Sequence, residues 1–331
     1  ARAGAATPMK TFLLRRVLAI FPLILAVTFI TQALLIASPG DYFTTLSESP
    51  SMTPDRLEFL RAKYHLDTEN IFVRYWYWLS GVITGDFGYS FKFQTSVWSL
   101  IGDRILNTLL LAVGALIISW GLAIPLGILS ALKKDSLIDR ISGGVSFVGL
   151  SIPSVFFSLL MVLFAAKTGW FPAGGLHDQV YWDFMSPWQK TVDVLWHLCL
   201  PATVLGTIGM AQYMRQMRAE MIETLSQDYI RTAKAKGLSL RTVLFRHALG
   251  NAINPLITLF GFSFAYLLSG AFITEFVFSW PGMGRLTVDA LINKDEPLVM
   301  ASIVMVTVML VVGNLLADIL LAVVDPRIRL E

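Results

Sequence analysis

Four histidines, His65, His177, His197 and His247, are the first candidates for metal or acid–base chemistry in this chain of 331 residues. Zinc sites hold their ligands at short, fixed spacings, and these four share none. They read as isolated polar side chains near interfaces. No His-Glu-x-x-His helix and no Gly-x-x-x-x-Gly-Lys-Ser/Thr loop occurs, so the sequence offers neither a zinc helix nor a phosphate cradle. Ser151 and Ser154 stand outside any Gly-x-Ser-x-Gly elbow and have no histidine near them in sequence. The single Cys199 falls in an apolar stretch, where it packs as a small residue and cannot form an internal disulfide. No catalytic residue, no metal site and no enzymatic activity are expected of this chain.

A different constellation does carry a pattern. Met221, Ile222, Leu225, Tyr229, Ile230 and Ala233 recur at helical spacing, interleaved with Glu220, Glu223, Asp228, Arg231, Lys234 and Lys236. Gly237 is a natural helix stop and Ser239 a natural cap for a second helix. Leu240, Val243, Leu244 and Ala248 then form another apolar stripe. The spacing predicts a basic helix–turn–helix. A DNA-reading pair fits poorly on a segment set between two long apolar stretches. A strip lying on anionic lipid is the plain alternative. A knob gripped by a partner protein suits the tight Gly turn better, because two short helices at a corner make a compact shape.

The elements around this pair are apolar. Hydrophobic residues make up 55% of the chain and charged residues 15%, against about 25% charge in a soluble domain. Six windows free of Asp, Glu, Lys and Arg are long enough to cross a bilayer: Val17–Ala37, Ile105–Leu132, Ile141–Ala166, Val194–Met214, Ala248–Thr274 and Leu298–Ala317. The first is too long for a cleaved signal peptide and no Ala-x-Ala site follows it. Residues ahead of Met9 read as an extension without assigned structure. Lys10, Arg15 and Arg16 precede the first window. Lys133, Lys134 and Arg140 follow the second, Arg215 to Arg246 the fourth, and Arg327 and Arg329 the sixth. If the spans alternate, all share one side, which places both termini in the cytoplasm. The net charge of +3 is then a signature of topology and not of nucleic-acid binding.

Three segments fall on the opposite side. In the first, Thr53, Pro54 and Asp55 spell a capped helix start. Tyr75, Trp76, Tyr77 and Trp78 within Phe72–Ile83 suit a helix at the membrane interface. The second carries Trp170, Tyr181, Trp182 and Trp188. In the third, Trp280-Pro281-Gly282 instructs a turn, with a short helix expected over Thr287–Asn293. Asn107, Thr108, Ser119 and Ser263 are expected to bond between helices or line a pathway. Ionisable side chains are almost absent at mid-depth, where ion-driven carriers keep them despite a cost of about 2.5–3.5 kcal/mol each. The energy for any transport is expected to come from outside the chain.

The helix–turn–helix resembles the EAA loop of ABC importer permeases of the dipeptide/oligopeptide family. The general Glu-Ala-Ala…Gly pattern appears as Arg231-Thr232-Ala233 ahead of Lys234-Ala235-Lys236-Gly237, with Gly250 in the place of a later Pro. Both departures are the form of the peptide branch: Asp228-Tyr229-Ile230-Arg231-Thr232-Ala233-Lys234-Ala235-Lys236-Gly237-Leu238, then Arg246-His247-Ala248-Leu249, Asn251-Ala252 and Pro255. The resemblance continues in order through Ser38-Pro39-Gly40-Asp41, Gly85-Asp86-Phe87-Gly88-Tyr89-Ser90, Ser151-Ile152-Pro153 and Gly169-Trp170-Phe171-Pro172. It ends with Phe278-Ser279-Trp280-Pro281-Gly282-Met283-Gly284-Arg285 and Asp325-Pro326-Arg327-Ile328-Arg329.

The resemblance implies an all-α membrane protein with the type I ABC importer permease fold: six transmembrane helices, both termini cytoplasmic, and a large extracytoplasmic segment after the first helix. The implied organisation is an N-terminal extension over 1–9, a transmembrane helix over 10–38, an extracytoplasmic segment over 39–101 and a core permease domain over 102–331. A coupling loop would occupy about 219–250. The implied partners are a second, homologous permease subunit, two cytoplasmic ATPase subunits, an extracytoplasmic substrate-binding protein and membrane lipid, with no nucleic acid. This chain would hold no cofactor; ATP and Mg would bind the ATPases. Asp228, Tyr229, Ile230, Arg231, Thr232, Ala233, Lys234, Gly237, Leu240 and Arg241 would dock the ATPase. Tyr229, Ile230, Ala233, Leu240 and Leu244 would supply the apolar seat. Trp280, Arg285 and the 87–93 segment would face the binding protein. The implied site of action is the bacterial inner membrane, crossed several times, and the implied cargo is di- or oligopeptides. A nickel chelate, glutathione or an oligosaccharide carried by the same machinery is the alternative; a self-powered carrier and a membrane-anchored scaffold are the rival classes.

Overall fold

The computed structural model describes residues 9–47, 53–64, 66–68 and 70–324. His65, the extension at 1–8 and the 325–329 motif with Arg327 and Arg329 lie outside the described residues.

The chain is helical almost throughout, as the apolar windows require. A first long helix, α1 (Met9–Ala37), leads into α2 (Tyr42–Leu46), α3 (Pro54–Lys63) and α4 (Ile71–Ile83). A two-stranded antiparallel ladder follows, β1 (Tyr89–Ser90) with β2 (Thr95–Ser96), Tyr89 facing Ser96. Then come α5 (Val97–Leu132), the pair α6 (Leu137–Ser151) and α7 (Ser154–Thr168), and α8 (Pro187–Ser226). The remaining elements are α9 (Asp228–Ala235), α10 (Leu240–Thr242), a π-helical turn over Val243–Ala248, α11 (Leu249–Ala252), α12 (Asn254–Gly270), α13 (Phe272–Val277), α14 (Met283–Ile292) and α15 (Glu296–Val324).

Four of these, α1, α5, α8 and α15, include stretches long and apolar enough to cross a membrane. A fifth arises if α6 and α7 form one span. Six charge-free windows therefore do not become six unbroken helices. The third is bent by 100°, because Pro153 removes a donor and pushes Ile152 out of the helical region, to ψ 121. The fifth is interrupted at Ile253 and Ala271, which leaves α12 with 17 residues, short of the roughly 20 a span needs. The fourth runs the other way: α8 has 40 residues, well beyond a bilayer's thickness. Ser186 starts it with a full capping box to Gln189, and Pro187 sits at its first turn.

The contacts divide the chain into two units. One holds Leu109–Trp280 with the described residues 9–12 and 310–324, the other Leu13–Thr108 and Pro281–Met309. In the first, α5 and α8 approach through small residues. A Cβ on Gly127 would stand 2.7 Å from the Met217 Cβ, and one on Gly206 2.8 Å from the Ala115 carbonyl oxygen. The Ser119 hydroxyl donates to the Gly206 carbonyl at 2.9 Å, the interhelical role expected of it.

In the second unit, the Thr53 hydroxyl caps α3 by accepting the Arg56 N–H, with Pro54 at the first position. Asn70 caps α4, whose ring-rich face leaves Phe72, Trp76 and Tyr77 exposed. Tyr75 turns inward, edge-on to Phe29 and 2.9 Å from the Thr28 hydroxyl. Asn107 and Thr108 hold the start of the third predicted outer segment: Asn107 donates to the Pro281 carbonyl and Thr108 accepts the Met283 N–H, each at 2.8 Å. The helix there, α14, starts at Met283, four residues before the expected start at Thr287.

Candidate partner-docking elbow

The basic pair is an elbow hung on the overlong α8. Its first corner is Gln227, extended at ψ 150, which ends α8 and starts α9. The apolar spacing from Met221 to Ala233 therefore spans two helices meeting at a corner, not one. The second corner is a Schellman turn. Leu238 N–H reaches back to the Ala233 carbonyl at 3.4 Å and Gly237 N–H to the Lys234 carbonyl at 3.0 Å. Gly237 takes φ +74, as a residue past a helix end does in this turn. Ser239 then caps α10 by accepting the Thr242 N–H.

Beyond α10 the ladder slips to π geometry, with Leu249 N–H donating to the Leu244 carbonyl. The slip keeps Val243, Leu244 and Ala248 pointing into one apolar cluster with Met217, Met221, Ile230, Ala233, Ala252 and Leu256. That cluster ties both arms of the elbow to the lower part of α8. Tyr229 fastens the outer edge, its hydroxyl accepting from the Asn251 amide at 2.9 Å.

The expected apolar seat therefore divides in two. Ile230 and Ala233 are buried within the chain's own core, as is Leu244. Only Tyr229 and Leu240, 44% and 60% exposed, are open to a partner. Phe245, at 61%, joins them; an aromatic ring set between Leu244 and Arg246 was its only sequence signal. Asp228, Arg231, Lys234 and Arg241 are exposed. Thr232 is exposed too and bonds back to the Asp228 carbonyl at 3.0 Å. The Arg231–Asp228 pair at 3.2 Å is open to solvent and contributes little to stability. The outer face is cationic around three apolar side chains, a composition that suits an acidic or mixed protein surface with apolar pockets.

One support was missed by sequence reading. Arg218, counted only as a topology charge, grips Asp139 with its Nε and Nη2, at 2.5 and 2.7 Å. Asp139 is nearly buried at 8% and also accepts the Asp135 N–H. The pair pins the start of α6 to α8 above the first corner. Removing one partner of such a pair strands the other. Arg218→Gln should therefore lower the protein's stability by about 1–3 kcal/mol, discounted because Arg218 is a third exposed. Asp139→Asn with Arg218→Gln should cost less than Arg218→Gln alone. Thermal melts of the three variants check this; equal melting temperatures would contradict it.

The predicted binding-protein face needs correction. Trp280 is wholly buried, packed with Leu111, Leu198, Ala202 and Ala271. Ser279 takes φ +53 ahead of it, and the turn swings the ring inward instead of outward. Arg285 is partly exposed, 3.9 Å from Asp289. In the 87–93 segment, Phe87 stacks on Trp98 and Phe91 is buried against Phe43. Among the histidines, His197 is buried and bonds the Asp193 carbonyl at 2.9 Å, and His177 stacks on Trp182. No metal-holding group occurs among the described residues.

Residues 123–330 match the family described as the binding-protein-dependent transport system inner membrane component. Residues 9–112 match the N-terminal family of such membrane components. The oligopeptide transport system permease protein AppB of Bacillus subtilis is 40% identical over 323 residues, 97% of this chain and 100% of that protein. The dipeptide transport system permease protein DppB of Escherichia coli K12 is 37% identical over 338 residues, 97% and 99% of the two chains. The di/tripeptide transport system permease protein DppB of Pseudomonas aeruginosa is 35% identical over 334 residues, 97% and 99%.

Proposed function

The chain belongs to the binding-protein-dependent transport system inner membrane component family, and from that membership we propose that it is a permease subunit of an ATP-driven peptide importer. It is a multi-pass protein of the bacterial inner membrane. Full-length similarity to three peptide permeases of distant bacteria carries the cargo class. The proposed working unit adds a second permease subunit, two ATPases that bind ATP and Mg, and an extracytoplasmic binding protein. Both termini are cytoplasmic in this reading, 39–101 lies outside, and α12 with its broken flanks is the fifth of six spans, five of which belong to the core over 102–331.

In this mechanism the ATPases seat on Tyr229, Leu240 and Phe245, with Asp228, Arg231, Lys234 and Arg241 fixing register. Their closure pushes the elbow. The elbow cannot yield, because Ile230, Ala233, Leu244 and Ala248 lock it to Met217 and Met221. The push therefore moves α8 and α12 as bodies and switches the pathway between inner and outer access, an ordinary rigid-body device. Liposomes holding the complete complex should take up dipeptide only with ATP inside the nucleotide compartment and binding protein in the other. Uptake by this chain without an ATPase would overturn the reading.

A further inference from the structure

The unit of Leu13–Thr108 and Pro281–Met309 contains a cavity of about 830 Å³ that the transport reading does not use. Its walls are of two kinds. Leu34, Leu35, Ile36, Val299 and Ile303 make one end apolar, while Asp41, Arg61, Arg74, Lys294 and Glu296 make the other charged. The apolar end is continuous with the face of α1 that leaves Ile30 and Leu34 exposed, at 58% and 67%.

The charges do not cancel. Arg61 grips Asp41 with two nitrogens, at 2.8 and 3.0 Å. Arg74 pairs with Glu296, whose other oxygen accepts from Gln32 at 2.6 Å. Among the described residues the partners recorded for Lys294 are carbonyls, those of Pro39 and Gly40. Among the side chains lining the cavity its ammonium is the third cation against two carboxylates; the buried Asp295 carboxylate, next in sequence, accepts from the Ser90 hydroxyl and the Lys92 N–H. The site is also built at some cost. Lys294 itself takes φ +53, a region where a side chain adds strain. Gly40 takes φ +74, and a Cβ there would stand 3.3 Å from the Lys294 nitrogen. Two left-handed residues thus bring one ammonium to the polar end of an amphipathic cavity.

We infer that this cavity holds an anionic glycerophospholipid, its phosphate at Lys294 and an acyl chain along Leu34 and Ile30. The occupant follows from charge and shape together: a surplus cation beside apolar walls that open onto the surface of a spanning helix. In the topology proposed above, the end of α1 and the start of α15, whose Ile36 and Glu296 line the cavity, stand where spans meet headgroups. A free phosphate shares the headgroup's chemistry but has no use for the apolar end. The inference rests on the outward placement of 39–101 proposed above.

Native mass spectrometry of the complete complex tests it, with phosphatidylglycerol, phosphatidylcholine and inorganic phosphate as probes. Phosphatidylglycerol should be retained in preference to phosphatidylcholine, and excess phosphate should not displace it. Lys294→Asn, which removes the charge with a residue that tolerates φ > 0, should reduce the preference about fivefold, the effect of one cation near an anionic surface. Lys294→Arg should keep it. Equal retention of both lipids, a preference intact in Lys294→Asn, or displacement by phosphate would each overturn the inference. Should Lys294→Asn fail to assemble, the preference of the unaltered complex and of Lys294→Arg still decides. ATP-driven uptake is read separately, so the lipid site and the transport function can fail independently.

Discussion

Replacing Gly237 with valine is expected to cut ATP-driven peptide uptake at least tenfold while the permease still inserts and assembles. Gly237 sits at φ +74 in a Schellman turn. A Cβ there meets nothing within 4 Å, so the substitution creates no clash with a neighbour. The whole effect is backbone strain, of order 1–3 kcal/mol for a side chain in this region and at the upper end for a β-branched one. The cheapest relief is to open the turn. Opening it breaks the bonds from Gly237 and Leu238 to the end of α9 and swings Ser239 and α10 away from the position their cap defines. The outer residues Tyr229 and Leu240 then no longer present one face. Gly237→Asn should retain most uptake, because Asn tolerates φ > 0, and Gly237→Ala should fall between. Uptake that follows side-chain size and not tolerance of φ > 0 would contradict the strain account. Normal uptake in Gly237→Val would remove the rigid turn from the mechanism.

The second large effect separates the two faces of the elbow. Leu240→Asp with Phe245→Ala should weaken ATPase capture by the permease about thirtyfold, the scale of losing apolar anchors worth roughly 2 kcal/mol at the centre of an interface. Both side chains are some 60% exposed in the chain alone, so the permease's own melting temperature should barely move. Ile230→Ala should do the reverse. Ile230 is wholly buried among Met217, Met221 and Val243. Truncating such a residue costs about 2–5 kcal/mol, so the permease should melt earlier, and coupling should soften because the elbow no longer transmits a push to α8. Pull-down of the ATPases and thermal melts of the permease, run on both variants, read the two effects apart. Equal loss of capture in both would mean that the elbow acts as one undivided surface.

Much of this arrangement could be read from residue types. Gly237, Ser239, Thr53 and Pro54 announce their corners because turn and cap chemistry is local: a residue's φ range or hydroxyl decides it without reference to the rest of the fold. The apolar stretches of α1, α5, α8 and α15 follow from charge-free length, though the extra length of α8 does not. What failed was whatever depends on rotation or on distant partners. A 3.6-residue period cannot tell one helix from two helices meeting at a corner, so Gln227 passed unseen. Phe245 lies off the stripe of Leu240, Val243, Leu244 and Ala248, and an apolar period marks the buried face, not an exposed ring beside it. Trp280 was placed on the outside because the third outer loop of the resembled family would face the binding protein; its burial depends on Leu111 and Leu198, remote in sequence. Pro153 was noted as part of a motif, yet the size of its bend, 100°, needs the packing on both sides. Asp139 and Arg218 are 79 residues apart, and only the fold brings them together.

The central claim is that an ATPase grips the outer face of the elbow and moves this chain from there. A photoreactive amino acid at Leu240, in the assembled complex in lipid, tests it most directly. The account predicts a crosslink to an ATPase subunit whose yield changes when ATP binds, and none from the same probe at Ile230. Crosslinking from Leu240 to lipid alone, with or without ATP, would contradict it.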